Sequence, residues 1–255
     1  MTPHVGSIID RYPDPITEAI FRPKQSPDQF GFTKAISYLL ASVLRGECQR
    51  WAVDRKLTCY GVSLDGEAAF PCVDRDILLH ELYTVGERGD FLQYSRGTYQ
   101  NTHAQFKLDG KLSGIFEEHT GNRQGHVKAS GHFKVYINPC LDSLNSTDLS
   151  FHIGPIPVGV VCCADDTYLL SDRPSALQSA INIVEHYTKH YRVIFNASKT
   201  KIVVTGSKVD MQLYKDICPW KLGGGRISVV NDNNYLGLVV SGLNEEQRNV
   251  EQNIK

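Results

Sequence analysis

The chain has 255 residues, of which 41% are hydrophobic, which is typical of a folded protein with one large domain or two small ones. Its 27 basic and 28 acidic residues give a formal net charge of -1, which excludes a strong overall positive field directed at nucleic acid. Five basic residues nevertheless cluster without an acidic residue among them: Lys189, Arg192, Lys199, Lys201 and Lys208. This segment either faces phosphates or is a solvated positive surface.

Cysteine spacing and hydropathy indicate the cellular compartment in which the protein works. None of the seven cysteines belongs to a CxxC pair or to a Cys/His spacing that suits zinc, so we expect reduced thiols. The N-terminus lacks the pattern of a signal peptide, and no apolar run approaches the roughly 20 residues that cross a bilayer. These features predict a protein that works inside the cell, in the cytoplasm or the nucleus.

The N-terminal part of the sequence predicts an arm followed by a helix. Residues 1–28 are rich in proline and polar side chains, which favours an irregular arm, and a domain is expected to begin close to Gln29. Within Phe32–Trp51, apolar residues recur at spacings of three and four: Ile36, Leu39, Leu40, Val43 and Leu44. This spacing predicts an amphipathic helix whose apolar stripe packs on a sheet.

The next segments predict a buried strand, helices and a hairpin. Leu57–Leu64 is β-branched or aromatic at several positions and stops at Asp65, which indicates a strand with that carboxylate at its C-terminal end. The segment 103–118 alternates around Asp109-Gly110, a pair suited to the tight turn of a β-hairpin. Helical patterns cover two further segments: Val73–Val85 and Gln124–Leu144.

A second pair of apolar runs encloses two acidic residues. The runs Val158–Cys163 and Tyr168–Leu170 predict a strand, a tight turn and a strand, with Asp165 and Asp166 at the turn. A helix is expected from Pro174, because proline suits the first turn of a helix. The remaining segments with strand character are short: Val193–Phe195, Lys201–Thr205, Ile227–Val230 and Tyr235–Val240.

The paired acids Asp165 and Asp166 interrupt continuous apolar sequence. Two like charges beside a buried strand repel each other and lose solvation, and a divalent cation would offset that cost. If the strand that ends at Asp65 neighbours this hairpin in one sheet, the three carboxylates converge as in a two-metal site for phosphoryl transfer. The competing interpretation is an exposed hairpin tip with two solvated acids.

Three blocks of the sequence stand out in their order along the chain: Gln29-Phe30-Gly31-Phe32, the block from Ser63 to Phe70, and Cys163-Ala164-Asp165-Asp166. They resemble the fingers motif, the first palm motif and the aromatic-Ala-Asp-Asp box of reverse transcriptases from LINE-type (non-LTR) retrotransposons. Thr33 stands where arginine is usual in that family, and Pro71 stands where aspartate is common. The resemblance implies that Asp65, Asp165 and Asp166 hold metal ions and that Phe70 excludes a ribose 2′-hydroxyl.

Three further blocks resemble later motifs of the same family. Gly121-Asn122-Arg123-Gln124-Gly125 resembles the second palm motif, which makes Gln124 and Gly125 nucleotide-binding candidates, with Arg123 and Lys128 as candidates to face phosphates. Asn196 to Lys201 resembles the fourth palm motif, in which Lys199 would lie near the leaving pyrophosphate and donate a proton. Asn234-Tyr235-Leu236-Gly237 resembles the primer-grip hairpin, so Tyr235, Leu236 and Gly237 are candidates to hold the primer.

The resemblance implies an α+β polymerase palm, an antiparallel sheet flanked by helices, with partial fingers and no complete thumb. Fingers and palm would span residues 29–242, and residues 243–255 would be a tail or the start of a thumb. The implied reaction is addition of deoxynucleotides to a DNA primer on an RNA template, with two Mg²⁺ ions or with Mn²⁺. The chain would then be a fragment of a longer retrotransposon polyprotein.

Two other classes of function stay open from the sequence. The chain is alternatively an inactive relic or a nucleic-acid-binding module that keeps the palm fold, which its nearly neutral charge favours. The retained carboxylates favour the enzyme. A palm-fold nucleotide cyclase or an RNA-templated viral polymerase is the third class, and Phe70 argues against it if its ring abuts the sugar.

Overall fold

The computed structural model describes residues 19–33, 36–67, 69–123, 126, 128–206, 213, 214, 217 and 220–241. The chain divides into two compact units, one of Met1–Gln25 with Ala68–Asn138 and one of Ser26–Glu67 with Pro139–Lys255. Residues 1–18 of the expected arm and the whole expected tail, 243–255, lie outside the described residues.

The elements follow one another in mixed order. After a 3-10 turn at Arg22–Lys24, the helices are α1 (Tyr38–Asp54), α2 (Arg75–Val85), α3 (Gly89–Tyr99), α4 (Ala129–Asn145) and α5 (Pro174–Tyr191). The strands are β1 (Thr58–Leu64), β2 (Gly66–Glu67), β3 (His103–Ala104), β4 (Lys107–Leu108), β5 (Lys111–Leu112), β6 (Phe116–Glu117), β7 (Phe151–Ile153), β8 (Ile156–Val158), β9 (Val160–Cys163), β10 (Asp166–Ser171), β11 (Ile194–Phe195), β12 (Lys201–Gly206), β13 (Lys221–Leu222), β14 (Gly225–Arg226), β15 (Ser228–Val229), β16 (Asp232–Tyr235) and β17 (Leu238–Ser241).

The second unit is built on a five-stranded sheet with the order β15-β12-β1-β10-β9. The central strand β1 pairs antiparallel with both β10 and β12, and β10 pairs antiparallel with β9. Only the short edge strand β15 departs from the expected antiparallel sheet, because it runs parallel to β12. The α+β palm architecture is therefore confirmed.

Helix α1 packs against β1, β9 and β12, so its predicted packing on a sheet is confirmed, but most of the predicted apolar stripe is exposed. Leu39 and Val43 of the expected stripe are 54% and 45% exposed, whereas Ala41, Cys48 and Ala52 are fully buried. Small side chains let the helix approach the sheet closely, so Leu39 and Val43 fall on the outer face, whereas Leu44 and Trp51 are partly buried against the core. The helix begins at Tyr38 rather than Phe32 because the Ser37 hydroxyl caps it by accepting a hydrogen bond from the Leu39 amide.

Helix α5 confirms its prediction more closely. Pro174 stands in its first turn, and it buries Leu177, Ile181 and Val184. It packs against β1 and β10, so each of the two central antiparallel strands has a helical neighbour. This packing buries β1, which ends directly before Asp65, and β10, which begins at Asp166.

The first unit contains the paired helices α2 and α3 and the predicted hairpin region. Helix α2 is capped by the Asp74 carboxylate and ends at Gly86, whose φ of 112° is left-handed. Asp109 and Gly110 both have positive φ, 49° and 79°, as a tight hairpin turn requires. In the described ranges, no helix is long and apolar enough to cross a bilayer.

Candidate active site

The predicted acidic turn exists and is tight. β9 and β10 pair Cys163 with Asp166, which leaves Ala164 and Asp165 as the two connecting residues. Ala164 has a left-handed φ of 62°, which allows the chain to reverse within those two residues. Asp165 therefore lies in the turn itself, and Asp166 begins the returning strand.

Asp65 lies at the same end of the sheet. β1 is the neighbour of β10, and their register pairs Leu64 with Thr167. Continued by one residue, this register brings Asp65 opposite Asp166. The expected adjacency of the two strands is thus confirmed, and the three acidic residues Asp65, Asp165 and Asp166 lie at the same end of the sheet.

The electrostatics of Asp166 fit a cation at this edge. Its pKa is raised from 3.8 to about 6, first because the surrounding protein desolvates the carboxylate and then because Asp165 and Asp65 repel its charge. In the part of the chain that the structure describes, no three His, Cys, Asp or Glu side chains converge with the spacing of a metal site. The fit to Mg²⁺ or Mn²⁺ rests on donor chemistry, since hard carboxylate oxygens that repel one another are stabilised by a divalent cation.

A local pairing holds Lys199 beside Asp65. β2 pairs with β11, and the Asn196 amide donates to the Asp65 carbonyl at 3.2 Å. The Asn196 side chain then accepts from the Ser198 amide at 2.9 Å and shapes the turn that carries Lys199. Lys199 Nζ lies 4.0 Å from Asp65 Oδ1, and both side chains are about half exposed, so this ion pair contributes little stability. The ammonium group is accessible to a ligand.

The candidate primer-grip residues lie in a second tight hairpin. β16 and β17 pair Tyr235 with Leu238, and Leu236 and Gly237 both have positive φ, 51° and 76°. Tyr235 is buried, and its hydroxyl donates to the carbonyl of Val161 at 3.0 Å. The sequence motif identified the hairpin but not this contact with the strand before the acidic turn.

The remaining candidates belong to the first unit. Phe70 stacks on Phe133 with ring centroids 4.4 Å apart, and its carbonyl accepts from the Asn122 amide at 2.7 Å. Arg123 is exposed. Gln124 and Gly125 lie outside the described residues, and the expectation that Lys128 faces a phosphate is wrong, because its side chain is fully buried in an ion pair.

Gln29 was predicted only as part of the fingers motif, without a function for its side chain. In the structure its side chain is fully buried and accepts a hydrogen bond from the Ala164 amide at 3.0 Å. The sequence signal for this residue was the close spacing of Gln29 and Gly31 before the first helix. The contact itself joins residues 135 positions apart, which no local pattern reveals.

Comparisons with known proteins identify the family and the fold of the chain. Residues 8–240 match the family described as "Reverse transcriptase (RNA-dependent DNA polymerase)". An apo telomerase from Candida tropicalis, truncated from its C-terminal domain, is similar with a TM-score of 0.65 and 10% sequence identity, covering 95% of this chain and 45% of that chain. Telomerase from Candida albicans, in complex with a TWJ fragment of telomeric RNA, is similar with a TM-score of 0.56 and 12% identity, covering 93% of this chain and 36% of that chain.

These structural likenesses bear on the fold alone, because the identities are low. The chain spans less than half the length of either telomerase chain. The match of the family covers most of the sequence, and it includes the two strands and the tight turn that carry Asp65, Asp165 and Asp166. The chain belongs to the reverse transcriptase (RNA-dependent DNA polymerase) family.

Proposed function

We propose that the chain is the fingers and palm of an RNA-directed DNA polymerase of the LINE (non-LTR) type. The observation that carries the proposal is the pairing of Leu64 with Thr167, which brings Asp65 next to the Asp165-Asp166 turn. Three acids at one edge of a palm sheet suit template-directed nucleotidyl transfer. The LINE assignment is supported by the order of the sequence blocks, from the Gln29 motif to the Tyr235 motif.

In the proposed mechanism, the protein positions charge around the reacting phosphate. Asp65, Asp165 and Asp166 would hold two Mg²⁺ ions, or Mn²⁺ in their place. When bound, such ions would activate the primer 3′-hydroxyl and neutralise the charge of the leaving pyrophosphate. Lys199, next to Asp65, would donate a proton to pyrophosphate as it leaves. Most of the rate enhancement would come from positioning and electrostatic stabilisation.

The proposed choice of substrate depends on Phe70. Phe70 would exclude a ribose 2′-hydroxyl and so select deoxynucleoside triphosphates over ribonucleoside triphosphates. Its stacking on Phe133 supports this role, because a ring held on one face presents a defined steric boundary. Arg123, Gln124 and Gly125 would contact the incoming nucleotide. The partners are an RNA template and a DNA primer, and the chain would belong to a longer retrotransposon polyprotein.

Primer extension on a homopolymer RNA template with Mg²⁺ or Mn²⁺ tests the proposal. Extension is expected from the native chain and is expected to disappear in Asp165→Asn/Asp166→Asn. The matched control is Asp148→Asn/Asp172→Asn, which removes two exposed acids of the same unit and should leave extension unchanged.

The alternative function predicts a different pattern. An inactive relic or binding module would bind the primer-template duplex but would not extend the primer, and the Asp165→Asn/Asp166→Asn variant would bind as the native chain does. Extension with ribonucleotides as efficient as with deoxynucleotides would contradict the role of Phe70 and favour an RNA-synthesising palm enzyme.

A further inference from the structure

The segment that carries the first family motif lies along the edge strand of the palm sheet. Phe30 donates its amide to the carbonyl of Cys162 at 2.7 Å, and Cys162 donates its amide to the carbonyl of Asp28 at 2.9 Å. Gln29 and Cys162 form a parallel bridge. The outer side of β9, which leads directly into the acidic turn, is therefore paired with this segment.

The side chain of Gln29 reaches from this segment into the turn. It is fully buried, and its Oε1 atom accepts hydrogen bonds from the Gly31 amide at 2.8 Å and from the Ala164 amide at 3.0 Å. Its Nε2 atom donates to Cys162 Sγ at 3.3 Å. Both ends of the amide group thus have partners, and one partner is the residue directly before Asp165.

The turn needs such a partner. Ala164 has a left-handed φ of 62°, which residues with a β-carbon rarely adopt, and it is buried. A buried amide without an acceptor is costly. By accepting the hydrogen bond of the Ala164 amide, the Gln29 oxygen therefore stabilises the turn with Ala164 in its left-handed conformation. Gly31 makes the approach possible, because a β-carbon there would lie 2.3 Å from the Ala164 nitrogen.

We infer that Gln29 is a positioning residue that sets the direction of Asp165 and Asp166 by holding the backbone of Ala164. The inference rests on the proposed function, because the carboxylates are taken as the metal ligands. Its effect on catalysis passes through the acidic turn and not through contact with substrate. Loss of the Gln29 oxygen would leave the three carboxylates in place but less ordered relative to one another.

The test compares two buried glutamines of the second unit. Gln29→Met removes the acceptor for Ala164 at nearly constant volume. Gln49→Met is the matched control, because Gln49 is also buried and bonds Arg45 and Thr205 instead. Three quantities are measured on each variant of the full chain: the exchange rate of the Ala164 amide by NMR, the affinity for Mn²⁺ by electron paramagnetic resonance, and the melting temperature.

The two variants should separate a positioning role from a structural one. Gln29→Met is expected to speed exchange of the Ala164 amide about tenfold, the order expected for one lost hydrogen bond, and to weaken Mn²⁺ binding about three- to tenfold. Gln49→Met is expected to lower the melting temperature and to change neither quantity. Gln29→Glu keeps an oxygen at the same place and should retain slow exchange of Ala164, which also covers the case in which Gln29→Met does not fold.

Each outcome decides between the inference and its failure. Any of three results would overturn the inference. The first is unchanged exchange of the Ala164 amide in Gln29→Met, and the second is exchange in Gln29→Glu as fast as in an unsupported turn. The third is an equal loss of Mn²⁺ affinity in Gln29→Met and Gln49→Met. The proposed function fails separately, if the native chain and Asp165→Asn/Asp166→Asn bind Mn²⁺ equally. In that case the exchange rate of Ala164 still decides whether Gln29 holds the turn.

Discussion

The hydroxyl of Tyr235 donates to the carbonyl of Val161 at 3.0 Å and lies 3.3 Å from the carbonyl of Asp166, so one side chain ties together both strands of the acidic hairpin. Burial raises the pKa of Tyr235, which keeps the hydroxyl protonated and able to donate. The candidate primer-grip hairpin is thereby coupled to the turn that carries the carboxylates.

Removal of that hydroxyl should therefore affect activity as well as stability. Tyr235→Phe is expected to lower the free energy of unfolding by about 1 kcal/mol, the usual net value of one hydrogen bond, and to slow primer extension at least about threefold. Tyr60→Phe is the control, because the buried Tyr60 bonds the Tyr214 hydroxyl instead. Urea denaturation and primer extension measure both variants. Equal slowing by the two substitutions would show that the hydroxyl acts through stability alone.

Two glycines of the second unit should respond to alanine in opposite directions. A β-carbon at Gly31 would lie 2.3 Å from the Ala164 nitrogen, so Gly31→Ala is expected to destabilise the protein by about 1–3 kcal/mol. Gly46 stands within α1 with nothing within 4 Å of a β-carbon, so Gly46→Ala should stabilise by about 0.5–1 kcal/mol. Thermal and urea denaturation of both variants check the two signs. A stabilised Gly31→Ala protein would show that the motif segment is not held against the turn.

Charge repulsion at the acidic turn predicts a pH-dependent gain in stability from Asp166→Asn. The pKa of Asp166 lies near 3.8 in the unfolded chain and at about 6 in the folded state, so the folded state binds the proton more tightly. Protonation of Asp166 therefore stabilises the folded state. This contribution to the free energy of unfolding is complete below pH 3.8 and is lost as the pH rises through 6. Asp166→Asn should therefore stabilise the metal-free protein at pH 7.5 but hardly at pH 4.

The size of this gain is limited because Asp166 is exposed and water screens its charge, so about 1 kcal/mol is the upper expectation. Melting temperatures of native protein and variant from pH 4 to pH 8, without divalent cations, provide the measurement. Asp148→Asn, at an exposed acid of the same unit, should show no such pH-dependent difference. An Asp166→Asn protein that is less stable than the native chain at pH 7.5 would contradict the repulsion.

The strands of the palm could be predicted because their sequences combine apolar runs with abrupt acidic ends. β1 was expected almost within its observed limits, since continuous burial leaves few alternatives to a central strand. The β9–β10 hairpin was also expected, but its turn is two residues shorter than predicted, because Asp166 and Thr167 belong to β10. Helix α3 was not predicted. Its sequence contains two glycines, and of its residues Ser95 and Tyr99 are buried, so no apolar stripe marks it.

The buried face of α1 could not be predicted, because the prediction used only the spacing of large apolar residues along the sequence. In this helix Arg45 and Gln49 are buried, and Gln49 donates to Thr205 at 2.9 Å, so hydrogen bonding makes a polar face compatible with the sheet. Long-range partners decide such cases. The same holds for Gln29, whose acceptor role depends on a backbone amide that only the folded chain brings near.

The ion pair between Lys128 and Glu87 gives the largest stability prediction. Lys128 Nζ lies 3.6 Å from Glu87 Oε1 with both side chains almost completely buried, and burial raises the pKa of Glu87 while the charge of Lys128 opposes that rise. Lys128→Met would leave Glu87 buried without its countercharge, so it should cost about 3–5 kcal/mol in urea denaturation. Lys128→Met/Glu87→Gln should recover much of this loss, since it removes the uncompensated charge.

The pair of Lys189 and Glu185 provides the control, because its charged groups lie 3.0 Å apart with Lys189 exposed and Glu185 partly exposed. Lys189→Met should cost no more than about 1 kcal/mol. Similar costs for Lys128→Met and Lys189→Met would mean that water reaches Glu87 and screens its charge.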